Sequence, residues 1–247
     1  MSALLELRGV AKSFGGVAAN RDINLEVPEG AIIGLIGPNG SGKTTLFNSI
    51  VGYHPVDAGS IRYDGEEITR LRVAQIARRG LLRTFQQTRI YGLMDCMKNM
   101  LISVPHRREG LRSMLARFPR EDEEKAEALL EFVGLYAKRR LLAGDLSFGQ
   151  QKLLEFAMAL MNEPRLLLLD EPTAGINPTL INGLVERLQR ANEQLGITLL
   201  VIEHNMRVIM NLARHIHCMA HGQMLAEGPP EAIQNDRRVI DAYLGAH

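Results

Sequence analysis

Cysteine and long apolar runs are scarce in this sequence. The 247 residues include only Cys96 and Cys218, and the absence of a pairing pattern fits a reducing compartment such as the cytosol. No apolar run approaches the roughly 20 residues that a membrane-spanning helix needs. The start, MSALLELRGV, also lacks the basic-then-apolar order of a signal peptide. We therefore expect any association with a membrane to go through a partner protein.

The chain also lacks an excess of charge of either sign. Its 29 lysine and arginine residues and 28 aspartate and glutamate residues give a formal net charge of +1, so no global basic field indicates nucleic acid. Hydrophobic residues make up 46% and charged residues 23%, which is typical of a globular protein with a large core. Internal repeats and low-complexity tracts are absent.

One local group of arginines needs separate treatment, because it could indicate a nucleic-acid surface. Acidic residues flank the group and no aromatic residues are interleaved with it. We expect a solvated helix face instead. The group consists of Arg70, Arg72, Arg78, Arg79 and Arg83.

Short apolar segments separated by glycine-containing turns indicate strands at both ends of the chain. LLELRGV, INLEV and AIIGLIG are predicted strands, and GSIRYDGEEI is a predicted hairpin around Asp64 and Gly65. From about Thr88 to Leu160 helical patterns replace strands. Strands return at RLLLLD and GITLLVI, with a helical segment between them. Continuous apolar strands alternating with helices predict a parallel sheet, so we expect an α/β core interrupted by a helical insertion.

The segment GPNGSGKT, residues 37–44, matches the phosphate-loop pattern of glycines, lysine and hydroxyl at fixed spacing. Glycines let the backbone amides face phosphates, Lys43 is placed to reach the β- and γ-phosphates, and the Thr44 hydroxyl is placed to ligate Mg²⁺. Because the loop follows an apolar strand and opens a helix, we favour this interpretation over a simple glycine turn. The residues expected to bind ATP here are Gly37, Pro38, Asn39, Gly40, Ser41, Gly42, Lys43, Thr44 and Thr45.

Acidic and polar residues follow the later predicted strands, at the edge where ligands of open α/β sheets gather. Asp170 ends LLLLD and suits the Mg²⁺ shell, and Glu171 suits activation of a water molecule. His204 follows the next strand and is expected on the same edge, near the γ-phosphate. Gln86 lies at the boundary of the helical insertion and is a candidate contact for the metal ion or the water.

The segment LSFGQ begins an amphipathic helix and has the composition of an anion-binding helix N-terminus. Phe14 is a candidate platform for an adenine ring, although packing against the β region is an equally open interpretation. HIHCMAH places His215, His217 and His221 on one face of a strand. A metal site is one reading, but we favour solvent-exposed histidines on an edge strand.

Together these motifs resemble the nucleotide-binding subunit of an ABC transporter. Phe14, GPNGSGKTT, RTFQ, LSFGQ, LLLLDEPTAGINP and VIEH stand in the family's order, and the resemblance covers essentially the entire chain. It implies a single ABC ATPase domain over residues 1–247. The P-loop NTPase (RecA-like) core with an N-terminal antiparallel β region is expected at 1–87 and 161–247, and an inserted α-helical signature subdomain at 88–160.

The resemblance also implies a partner subunit and roles for the site residues. In the family two ATPase subunits lie head to tail, and the helix N-terminus at Ser147, Gly149 and Gln150 binds the γ-phosphate of ATP that the other subunit holds. Either a homodimer or a heterodimer satisfies this arrangement.

Within each subunit, the resemblance implies that Phe14 stacks on adenine, Asp170 assists Mg²⁺ and Glu171 is the general base. His204 contacts the γ-phosphate, and the expected cofactors are ATP and Mg²⁺.

Two positions depart from the family pattern. Phe148 stands where the signature usually has its first glycine, and Asn177 stands where many members carry an aspartate. The second departure puts communication between the two ATP sites in question.

Among ABC ATPases the chain looks most like importer subunits for branched-chain amino acids, on the basis of RTFQQTRIYGLM, EPTAGINP, VIEHNM and AYLG. Urea or amide importers and the lipopolysaccharide-export ATPase share much of this pattern. ABC ATPases that act on nucleic acid or ribosomes usually carry a coiled-coil insertion or a second cassette, and neither is present. A phosphate-loop kinase or GTPase does not need the LSFGQ helix.

The importer resemblance implies a location at the cytoplasmic face of the inner membrane. The protein would bind transmembrane permease subunits there and act indirectly with a periplasmic binding protein. The insertion after Gln86 is expected to dock a permease helix through Ile90, Tyr91, Leu93 and Met94.

Overall fold

The computed structural model describes residues 3–84, 90–104 and 118–244. These residues form two compact units. The described part of the first unit consists of residues 3–83, 165–173 and 188–244, and that of the second consists of 84, 90–104, 118–164 and 174–187.

An antiparallel sheet opens the first unit. Buried and exposed residues alternate along much of its two long strands, as expected when one face of a sheet packs on a core. Its hairpin turns at Asp64 and Gly65, where φ is 52° and 76°, the left-handed values that a two-residue turn requires. The order of the strands is β2-β1-β4-β5, with β1 (Ala3–Phe14), β2 (Val17–Pro28), β4 (Ala58–Tyr63) and β5 (Glu66–Glu67).

The second sheet of this unit is parallel except for one edge strand. Its order is β10-β9-β3-β8-β7-β6, with β3 (Ile32–Ile36), β6 (Leu81–Arg83), β7 (Leu166–Asp170), β8 (Thr198–Ile202), β9 (His215–Ala220) and the antiparallel β10 (Gln223–Gly228). Every residue of β3, β7 and β8 is buried, which explains their continuous apolar sequences. The predicted α/β core with an N-terminal antiparallel region is confirmed.

Two expectations about exposure are wrong. Strand β9 lies between β10 and β3 and is not an edge strand, and His217 is only 3% exposed. Arg83 lies on β6 rather than on a solvated helix face, and its side chain is only 8% exposed. In contrast, Arg70, Arg72, Arg78 and Arg79 are exposed as expected.

Short helices complete the first unit and connect its strands. They are α1 (Lys43–Ile50), α2 (Val73–Ala77), α7 (Met206–Leu212), α8 (Pro230–Asn235) and α9 (Arg237–Leu244).

The second unit is helical over the residues that the structure describes. It contains α3 (Cys96–Ile102), α4 (Arg120–Phe132), α5 (Phe148–Leu160) and the start of α6 (Pro178–Leu195). Three acidic residues occupy the first turn of α4, where the helix dipole favours negative charge. Among all described helices, none is long and apolar enough to cross a bilayer.

Candidate nucleotide-binding and catalytic site

The phosphate loop between β3 and α1 has a backbone that excludes side chains at two points. Gly37 and Gly42 have φ of 146° and 101°. A Cβ atom on Gly37 would lie 2.1 Å from the Met219 carbonyl oxygen, and one on Gly42 would lie 2.3 Å from the Ala19 carbonyl oxygen. Both positions therefore need glycine for conformation and for space. The result is a backbone cradle at the N-terminus of α1, an arrangement suited to phosphate.

The lysine of this loop folds back over the cradle. Lys43 Nζ donates to the carbonyl oxygens of Gly37 at 2.7 Å and Pro38 at 3.0 Å, and to Ser41 Oγ at 3.3 Å. Burial lowers the pKa of Lys43, and the carboxylates at the end of β7 partly offset this effect. The amino group of Lys43 therefore lies at the centre of the loop. The Thr44 side chain, in the first turn of α1, is exposed and available to a metal ion.

A tyrosine from the C-terminal helix also supports the loop. The Gly37 amide donates to Tyr243 Oη at 2.8 Å, and burial raises the pKa of Tyr243 to about 12. The phenol is therefore neutral at physiological pH. Nothing in the sequence pattern predicted this contact, because Tyr243 and Gly37 are 206 positions apart along the chain.

The carboxylate of Asp170 lies at the buried end of β7, with its side chain 2% exposed. Arg83 Nη2 donates to Asp170 Oδ2 at 2.6 Å, and Arg83 also donates to Asn48. A carboxylate that is removed from water needs a hydrogen-bonded partner of this kind. Arg83 is thus a positioning residue that the sequence analysis assigned to the wrong environment.

Glu171 and His204 meet at the carboxyl edge of the sheet. His204 Nε2 lies 2.8 Å from Glu171 Oε1. Glu171 has φ of 51°, an uncommon value for a residue with a side chain. Its amide donates to the Ile202 carbonyl oxygen at 2.9 Å. The two predicted catalytic side chains are therefore adjacent, and the strained backbone is typical of functional positions.

A buried carboxylate, Glu203, holds the segments that carry this pair. Its Oε1 accepts from the amide of Thr173 at 2.9 Å and from Thr173 Oγ1 at 2.6 Å. Its Oε2 accepts from the amides of His204 at 3.1 Å and Asn205 at 3.3 Å. Glu203 therefore links the segment after β7 to the segment after β8. The sequence analysis missed it, although an acidic residue directly after the apolar strand β8 was a usable signal.

In the second unit, the predicted anion-binding helix α5 begins with a capping box. Ser147 Oγ accepts from the Gln150 amide at 3.4 Å, and Gln150 Oε1 accepts from the Ser147 amide at 3.2 Å and from Lys138 Nζ at 3.0 Å. Gly149 is buried, and a Cβ atom there would lie 3.1 Å from Leu180 Cδ1. Ser147, Gly149 and Gln150 thus form one ordered helix end, and Ser147 is exposed at it.

The two departures from the family pattern both lie at helix starts. Phe148 is the first residue of α5, and Asn177 directly precedes α6. Phe148 is 46% exposed, and a Cβ atom on Gly175 would lie 3.0 Å from its ring. Asn177 Oδ1 accepts from the Thr179 amide at 3.1 Å and from Thr179 Oγ1 at 2.9 Å. Asparagine and aspartate serve equally well in this kind of local contact at a helix start, so the substitution preserves the start of α6.

Phe14 does not pack into the antiparallel core. Its side chain is 44% exposed at the end of β1, and its ring meets His54 edge-on with 5.2 Å between ring centroids. Lys12 Nζ lies 5.3 Å from the ring centroid. These observations favour the platform interpretation. Gln86, the remaining predicted site residue, lies outside the described residues.

Two family models match the chain. The model described as "ABC transporter" matches residues 20–174. This range contains the phosphate loop and the two carboxylates at the end of β7, Asp170 and Glu171. The chain belongs to this family. A second model, for a branched-chain amino acid ATP-binding cassette transporter, matches residues 223–247. This ABC protein is therefore an ATP-binding, ATP-hydrolysing transporter subunit, as its motifs predicted.

Individual relatives match over nearly their full length. The branched-chain amino acid transport ATP-binding protein BraF of Pseudomonas aeruginosa is 40% identical, with 98% of each chain covered. Its counterpart LivG of Escherichia coli is 37% identical, also with 98% of each covered. Among solved structures, the ADP conformation of an ATP-binding cassette of an ABC transporter has a TM-score of 0.89, with 33% identity and coverage of 99% of this chain and 100% of that one.

A dimeric relative is also known. The dimeric structure of a bacterial ABC transporter cassette has a TM-score of 0.79 and 25% identity, and the match covers 92% of this chain and 98% of that one. The comparison confirms the fold of the ABC cassette.

Proposed function

We propose that this ABC subunit powers the import of branched-chain amino acids at the cytoplasmic face of the inner membrane. The supporting observation is the near full-length similarity to BraF and LivG, both named for branched-chain amino acid transport. The C-terminal match to a branched-chain transporter model adds to it, because this match falls on β10, α8 and α9. These elements lie outside the phosphate loop, which many other P-loop proteins share.

The ATP site is assigned to the edge of the parallel sheet. The cradle of the phosphate loop and Lys43 bind the β- and γ-phosphates, and Phe14 supports the adenine. Thr44 and Asp170, with Gln86, are the residues proposed to hold Mg²⁺, which neutralises phosphate charge when it is bound. Oxygen ligands of this kind suit that ion.

Hydrolysis is assigned to the pair at the same edge. Glu171 accepts the proton of the attacking water, and His204, which lies 2.8 Å from it, orients the carboxylate and contacts the γ-phosphate. Phosphate binding and water positioning are thus assigned to different segments. The phosphate loop binds the ATP phosphates, and the residues at the strand ends position the attacking water.

A second ATPase subunit completes the site. The α5 start at Ser147, Gly149 and Gln150 is proposed to bind the γ-phosphate held by the partner subunit. The amides and dipole of a helix N-terminus favour such an anion. Closure of the dimer then depends on the γ-phosphate, and hydrolysis releases it.

The permease is proposed to bind the loop before α3. Leu93 is 94% exposed and Tyr91 is 57% exposed. Both lie on a rigid frame, because the buried Asn99 accepts from the Tyr91 amide at 2.8 Å and donates to the Tyr91, Met94 and Asp95 carbonyl oxygens at 3.0–3.3 Å. Exposed apolar side chains that are held in place are suited to an apolar partner helix.

Uptake of labelled leucine, isoleucine and valine by a deletion strain tests the cargo. We expect high-affinity uptake to disappear and to return with the wild-type gene. Normal uptake in a strain with no redundant importer would contradict the assignment. Uptake of urea and short amides in the same strain tests the alternative cargoes.

A charge at the loop tests the docking surface. Leu93→Glu should abolish uptake in the complemented strain while the purified subunit still hydrolyses ATP. The matched control is Val17→Glu, which alters another exposed apolar residue, 72% exposed on the antiparallel sheet. Equal uptake by both variants and wild type would place the permease elsewhere.

A further inference from the structure

Three possible metal ligands lie together on the strand pair β9 and β10. His215 and His217 alternate along β9 and so point to one face. Glu227 of β10 pairs directly with His217 in the sheet register. One ligand atom from each of the three side chains lies within 4.8 Å of the other two. We call these residues the strand-pair cluster.

Deep burial beside another ligand marks the central member of the cluster. The His217 side chain is 4% exposed, and its Nδ1 atom lies 3.1 Å from Glu227 Oε2. The backbone of Glu26 also lies against the ring, although neither contact has the geometry of a good hydrogen bond. The buried imidazole is therefore aimed at a carboxylate rather than at apolar side chains.

The ligand types narrow the choice of ion. Two imidazoles and a carboxylate suit zinc and related first-row ions, whereas Mg²⁺ and Ca²⁺ prefer all-oxygen shells. Bonds of about 2.0–2.2 Å to tetrahedral zinc place ligand atoms roughly 3.3–3.5 Å apart. The His217–Glu227 pair, at 3.1 Å, is slightly closer than this spacing, and all three ligand atoms lie within 4.8 Å of one another. Side-chain rotation of the less buried His215 and the exposed Glu227 can adjust both distances.

We propose that His215, His217 and Glu227 bind a transition-metal ion, with zinc as the best match and one coordination position left to water. The ion would tie the edge strand β10 to β9, and so fix the strand that leads into α8 and α9. This site is independent of the proposed cargo and of ATP hydrolysis.

Zinc chloride added to the metal-free, nucleotide-free protein, with any histidine tag removed, tests the site. We expect one bound ion per chain by calorimetry. At free zinc about 100 times the dissociation constant, the melting temperature should rise by roughly 5–10 °C. His215→Ala and Glu227→Gln leave the buried His217 in place and should each remove this shift.

The matched control is His221→Asn, which changes an exposed histidine just beyond β9. Its φ of 49° is tolerated by asparagine, and its zinc response should equal that of wild type. Zinc bound instead by Glu171 and His204 would survive substitution of His215 and Glu227. Retained binding in both variants, or no binding by wild type, would overturn the proposal.

Discussion

Replacing Glu203 by glutamine tests how the hydrolytic pair is held. The substitution keeps the side-chain volume but exchanges one acceptor oxygen for an amino group. In the wild type, each oxygen accepts from two donors, one set on Thr173 and the other on the amides of His204 and Asn205. If the amino group faces His204 and Asn205, both amide bonds are lost. If it faces Thr173, the amide bond is lost, while the Thr173 hydroxyl can turn to accept from the amino group. At least one of the four hydrogen bonds is therefore lost in either orientation.

The size of the effect follows from the lost bonds. A hydrogen bond to a charged group contributes about 1.5–3 kcal/mol, so we expect the free energy of unfolding to fall by at least about 1.5–3 kcal/mol. This is a large part of the roughly 5–15 kcal/mol that holds a typical protein folded. Because the lost bonds position Glu171 and His204, the ATPase turnover number should fall further than the fraction of folded protein does.

Urea unfolding and steady-state ATPase assays measure both effects. Thr173→Val removes only the hydroxyl donor and should lower the free energy of unfolding by about 1.5–3 kcal/mol. The exposed Glu193→Gln is the matched control and should change neither the free energy of unfolding nor the turnover number. A Glu203→Gln variant whose free energy of unfolding lies within about 0.5 kcal/mol of wild type would refute the assigned role of Glu203.

Three further predictions concern the ATP site. Tyr243→Phe deprives the Gly37 amide of its acceptor and should lower the free energy of unfolding by about 1–3 kcal/mol and raise the KM for ATP; an unchanged KM and melting temperature would contradict the contact. Glu171→Gln keeps the shape of the side chain without its basicity and should bind ATP while turnover falls at least about 100-fold; equal rates would remove Glu171 from the role of base. Ser147→Arg should leave the ATP affinity of the monomer intact but block dimer closure. Mixing this variant with Lys43→Ala should recover some ATPase activity if the two ATP sites hydrolyse independently. Loss of ATP binding by the Ser147→Arg monomer would show that the helix contacts the ATP of its own chain.

Local chemistry made the phosphate loop, the hairpin and the central strands predictable. Gly37 and Gly42 stand where the backbone admits no side chain, and Asp64 and Gly65 adopt the φ values that their dipeptide favours. The continuous apolar sequences of β3, β7 and β8 indicate strands buried on both faces.

The errors arose where tertiary pairing overrides the local pattern. The sequence of β10, QMLAEG, has no clear alternation, so nothing indicated that it pairs with β9 and takes the edge position in its place. The burial of His217 was missed with it. Strand β6 has only three residues, too short for a periodic signal, so Arg83 was grouped with exposed arginines nearby. Contacts such as Tyr243 with Gly37 join distant segments and depend on the complete fold.

The hydrogen bond between Tyr243 and Gly37 gives the protein an optical reporter of nucleotide binding. The sequence has no tryptophan and only five tyrosines, so no indole emission masks the phenol signal. The Tyr243 hydroxyl contacts the loop that receives the phosphates, and its emission should respond to any change in that hydrogen bond. Nucleotide binding should therefore be measurable by intrinsic tyrosine fluorescence without a label. The Tyr243→Phe variant is the control, because its signal comes from the other four tyrosines alone.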